Sequence, residues 1–72
     1  MKPRALYLAD IIEAIHEAHD AGEEDSLSAS FALGVRVGSI ATRCSILTGG
    51  DPADVVDEAI AMATYDELQA MN

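Results

Sequence analysis

A chain of 72 residues has room for one domain, spanning residues 1–72, and a domain of this size buries only about 60% of the surface its unfolded chain would expose. Half of the residues are hydrophobic but only 4% are aromatic and none is Trp, so the core is expected to consist of many small contacts between Ala, Ile, Leu and Val. A formal net charge of −9 argues against direct binding to DNA or RNA, because sequence-independent affinity for a polyanion requires the opposite sign.

Charge is unevenly spread. In the first third, Lys2 and Arg4 stand against Asp10, Glu13, Glu17, Asp20, Glu23, Glu24 and Asp25. The middle third carries only Arg36 and Arg43, and the last third only acids: Asp51, Asp54, Asp57, Glu58, Asp66 and Glu67. The single cysteine, Cys44, excludes an internal disulfide and a Cys-rich zinc module, and among apolar neighbours it reads as a small buried hydrophobe. Acids at Asp10 and Glu13 interrupt any signal-peptide core, and Arg36 and Arg43 break the longest acid-free stretch. The expected compartment is the reducing cytoplasm, with no membrane segment.

In chain order, Pro3 suits the first turn of a helix, and Leu8, Ile11, Ile12, Ile15, Ala18 and His19 then recur at spacings of three and four. Gly22 is expected to end this helix as a left-handed cap. Asp25 or Ser26 can cap a second helix running to about Thr48, where Gly49 and Gly50 stop it. From Leu27 to Val37 the apolar residues also alternate, which is strand periodicity. No second strand candidate exists to pair with it, so helix is the preferred reading and a β-ribbon shared between subunits the alternative.

Asp51-Pro52-Ala53-Asp54 combines an N-cap, a proline at the first helical position and an early carboxylate. Val55, Val56, Ala59, Ile60, Met62 and Ala63 supply the expected buried stripe of a third helix. Thr64-Tyr65-Asp66-Glu67 resembles a capping box, so residues 65–71 either continue that helix or form a short fourth one. The expected fold is therefore an all-α, three-helix domain.

The central helix carries two apolar faces. Leu33, Val37, Ile40, Ala41, Cys44 and Leu47 form a stripe on which the outer helices can pack, while Leu27, Phe31, Gly34, Val35, Gly38, Thr42 and Ile46 form a second face. Two outer helices cannot easily cover both. The second face is accordingly a candidate homodimer or partner interface, with Gly34 and Gly38 admitting close approach either there or within the subunit.

Glu13, His16, Glu17, His19 and Asp20 are the only cluster where metal or acid–base chemistry could be imagined. The histidines lack the spacing of a zinc-protease motif and the cluster lacks the second copy that a di-iron bundle requires. The expected roles are structural: His19 at the core edge, and His16 paired with Asp20 one turn on. No catalytic, cofactor or metal site is assigned.

The function expected from these features is non-enzymatic: a small acidic protein that regulates or inhibits another macromolecule by direct binding, as inhibitors of host or defence proteins encoded by phages or mobile elements do. Asp10, Glu13, Glu17, Asp20, Asp54, Asp57 and Glu58 are the candidate surface for a basic partner. One alternative is a homo-oligomer that sequesters a small, nucleotide-like anion through Arg36, Ser39 and Arg43. Another is a nucleic-acid mimic that occupies a DNA- or RNA-binding protein.

Overall fold

The computed structural model describes residues 2–22 and 26–70. They form three α-helices: α1 (Arg4–Asp20), α2 (Leu27–Thr48) and α3 (Pro52–Ala70). The stretch with strand-like alternation lies inside α2, so the helical period prevails there. Among the described residues there is no fourth helix, because α3 runs unbroken through the Thr64-Tyr65-Asp66-Glu67 sequence to Ala70. None of the described helices is long and apolar enough to cross a membrane.

The helix ends follow local chemistry. Pro3 stands one residue before α1, with φ −69° and ψ 152°, and its carbonyl accepts from the Leu6 amide at 3.0 Å. At the other end the Ala21 and Gly22 amides donate to the carbonyls of Glu17 and His19, and Gly22 takes the expected left-handed φ of +70°. Ser26 caps α2, its hydroxyl accepting from the Ala29 amide at 3.2 Å; Asp25, the rival cap, lies outside the described residues with Glu23 and Glu24. Gly49 and Gly50, at φ +91° and +92°, turn the chain, and the Ser45 hydroxyl donates to the Gly50 carbonyl. Asp51 then accepts from the Ala53 amide at 2.8 Å, and Pro52 opens α3.

Each pair of helices is in contact, and the molecule is a slab of 34 × 32 × 18 Å. Its radius of gyration of 12.5 Å exceeds the about 11 Å expected of a compact chain this long, as a flattened shape requires. The core consists of Tyr7, Leu8, Ile11, Ala14 and Ala18 from α1, Ala41 and Cys44 from α2, and Val55, Ala59 and Ala63 from α3. Ile12, Ile15, Val37, Ile40 and Val56 pack around it.

Several expected core positions are not buried. His19 is exposed, because the buried arc of α1 runs through Tyr7, Ile11, Ala14 and Ala18 and turns away before reaching it. Leu47 lies too close to the end of α2 to be covered, and Ile60 and Met62 flank the narrow Val55-Ala59-Ala63 stripe on its open sides. Leu33 is half-buried.

Candidate functional site

Because α1 and α3 both pack on the Ala41-Cys44 side of α2, the opposite side of that helix faces outward. Leu27 (87% exposed), Phe31 (75%), Val35 (55%) and Ile46 (76%) lie there, with exposed Gly34 and Thr42 and half-buried Gly38. An open groove of about 720 Å³ runs along this face between Val35, Gly38, Thr42, Ile46 and Leu47, with Ser39 and Arg43 along one edge. A β-carbon at Gly34 or Gly38 would meet no atom within 4 Å. Packing inside the subunit therefore does not require these glycines.

The candidate anion residues separate into two kinds. Arg36 Nη1 lies 2.8 Å from Glu17 Oε2, and this hydrogen bond raises the Arg36 pKa. Arg43 forms no ion pair among the described residues. Arg36, Ser39 and Arg43 nonetheless share a second groove, of about 260 Å³, with Lys2, Tyr7 and Asp10. Lys2 pairs with Asp10 there, and its ammonium sits 4.6 Å from the centroid of the Tyr7 ring, within cation–π range.

The seven candidate acids are likewise divided. Asp10, Glu17 and Glu58 pair with Lys2, Arg36 and Arg4, whereas Glu13, Asp20, Asp54 and Asp57 form no ion pair among the described residues. The Arg36 hydrogen bond, followed by its charge, holds the Glu17 carboxyl below its ordinary pKa. Glu13, Glu17 and Asp20 line the groove between α1 and α3 together with His16, Met62 and Asp66. Among the described residues no hydrogen bond or ion pair joins His16 to Asp20, contrary to expectation, and no three His, Cys, Asp or Glu side chains converge as metal ligands. The exposed i,i+4 geometry leaves both groups to water.

No protein-family model, curated protein or solved structure matches this chain. Its site must be read from its own residues.

Arg4 is the residue that sequence reasoning underrated. From the first turn of α1 its guanidinium reaches Glu58 Oε2 at 2.9 Å and the Gly49 carbonyl at 3.4 Å, with the Cys44 sulfur at 4.0 Å. The hydrogen bond to Glu58 leads in raising its pKa. One side chain thus ties together the start of α1, the turn after α2, and α3. Its separation from Glu58 by more than fifty positions left no local signal. Cys44 is fully buried as expected, its sulfur 3.4 Å from the Thr48 hydroxyl.

Proposed function

We propose that this protein regulates or inhibits another macromolecule by direct contact, presenting the carboxylates of its α1–α3 layer to a basic surface. The observation that carries this reading is the sorting of charge between the two layers. All carboxylates of the described helices belong to α1 and α3, and α2 contains none in 22 residues. Glu13, Asp20, Asp54 and Asp57 remain outside the internal ion pairs and form the core of the proposed contact surface. Such a surface speeds encounter with a cationic partner and selects against acidic ones. A nucleic-acid mimic is a weaker reading, because Asp10, Glu17 and Glu58 are already neutralised within the chain.

The test is capture from source-cell extract by the native protein and by a Glu13→Gln, Asp20→Asn, Asp54→Asn, Asp57→Asn variant, read by mass spectrometry. A basic protein held by the native chain, released by salt and lost from the variant is the expected outcome. Equal capture by both would refute the acidic surface.

The groove shared by Lys2, Arg36, Ser39 and Arg43 favours a second reading, in which a small anion binds against α2. Titration with inorganic phosphate, followed by amide shifts at Ser39 and Arg43 in native protein and in Arg43→Gln, tests it. Shifts absent from native protein, or unchanged in the variant, would dismiss it.

A further inference from the structure

We propose that the outward face of α2 is covered by a second copy of this chain, packed antiparallel across a two-fold axis. Leu27 then meets the partner's Ile46, Phe31 meets the partner's Thr42, and Val35 meets the partner's Gly38.

Charge selects this face. In a protein of net charge −9, an approach of two copies through α1 or α3 sets carboxylates against carboxylates. Through α2 it does not, because that helix has no Asp or Glu and carries Arg36 and Arg43.

The spacing of the stripe selects the direction. Six of the seven residues of the face, 27, 31, 35, 38, 42 and 46, step by four, four, three, four and four, a pattern that reads the same from either end, while Gly34 falls level with the partner's Ser39, a residue that lines the same groove. A two-fold axis at the level of the link between Arg36 and Val37 therefore carries each position onto another position of the stripe. This meets the requirement of an isologous interface, in which residue i touches j and j touches i. Sizes match as well: Phe31 faces the smaller Thr42, and Val35 faces Gly38. A parallel pair would instead stack Phe31 on Phe31 and leave a gap at Gly38, so it would be both crowded and hollow.

Gly38 supplies an independent reason. Glycine in a helix interior is unfavourable relative to alanine, and no neighbour within the chain fills the space that its missing β-carbon leaves. A valine arriving from the partner does. Contact over the 20 residues of the stripe runs along about 30 Å of helix and, counted over both copies, covers on the order of 1,000 Å², the lower bound for a specific interface. The dimer should accordingly form and dissociate with concentration.

Light scattering from low micromolar to several hundred micromolar should show the mass rising towards twice 7.6 kDa. A protein that stays monomeric, or assembles to another mass, overturns the proposal. Gly38→Gln should be monomeric throughout while keeping native helicity in the far-UV spectrum, because it meets nothing inside the subunit. Persistence of the dimer in this variant would also overturn it. Register is read by disulfide formation, with unmodified protein as the control for the buried Cys44. A mixture of Leu27→Cys and Ile46→Cys proteins should form a mixed cross-link, whereas either alone should not link to itself. Self-linkage of either variant, or no link in the mixture at dimer-forming concentration, would reject the antiparallel arrangement.

Discussion

The Glu17 carboxylate accepts a hydrogen bond from Arg36 at 2.8 Å, joining the last turns of α1 to the middle of α2. Glu17 is held below its ordinary pKa of 4.5 by this contact, so the unfolded chain takes up its proton first as the pH drops. The contribution of the pair to stability is present above 4.5 and is lost as pH falls through the lower folded value. In Arg36→Gln the Glu17 midpoint should return towards 4.5, as read by carbon NMR of its carboxyl. A midpoint unmoved by the substitution would mean that the pair does not persist in solution.

Ile11 is completely buried at the centre of α1, in a core with few large side chains. Ile11→Val should cost about 0.5–1.5 kcal/mol and Ile11→Ala about 2–5 kcal/mol. For a domain this small the larger loss approaches the whole stability, of order 5–10 kcal/mol or less. Urea unfolding at fixed protein concentration should find Ile11→Val folded and Ile11→Ala largely unfolded in mild denaturant.

The caps of α2 and α3 differ in kind. Ser26 offers a neutral hydroxyl at 3.2 Å, whereas Asp51 offers a carboxylate at 2.8 Å to a helix start that favours negative charge. Replacing either by Ala should cost about 0.5–2 kcal/mol, with the larger loss at Asp51. Thermal melts followed by circular dichroism will rank them, and a larger loss at Ser26 would contradict the geometry.

Glycine substitutions should have opposite signs within α2 and just beyond its end. Gly34→Ala, inside α2 with open space around it, should raise stability by up to about 1 kcal/mol. Gly49→Ala, at φ +91°, should lower it by at least a comparable amount, because side chains rarely adopt that backbone conformation. Melting temperatures that moved in the same direction would show that backbone conformation does not govern these sites.

The helix boundaries were legible because they are written in neighbouring residues: Ser26 before α2, Gly49 and Gly50 after it, and Asp51 before α3 with Pro52 as its first residue. Helical periodicity also located the uncovered face, since Phe31, Val35 and Ile46 are the wrong distance from Ala41 and Cys44 to share their neighbours. The width of each buried arc was not legible. In a two-layer slab every helix meets its neighbours along a narrow strip, so Leu47, Ile60, Met62 and His19 fall outside it while Tyr7 and Ala14 fall within. Nor could spacing reveal which acids would be neutralised. Whether Asp10, Glu17 or Glu58 meets a cation depends on how the helices are laid side by side, which no local pattern records.

Among the described residues, five of the ten buried side chains are alanines, at positions 14, 18, 41, 59 and 63, contributed by all three helices. Where helices meet through single methyl groups, the distance between their axes is set by how little stands between them. Such an interior is vulnerable to growth more than to loss. A glycine at Ala41 or Ala59 removes one carbon, but a leucine there must lever two helices apart, and the displacement is felt along the length of both. At these five positions enlargement should cost more than truncation to glycine, and the outward surface of α2 should tolerate the same enlargements within the isolated subunit.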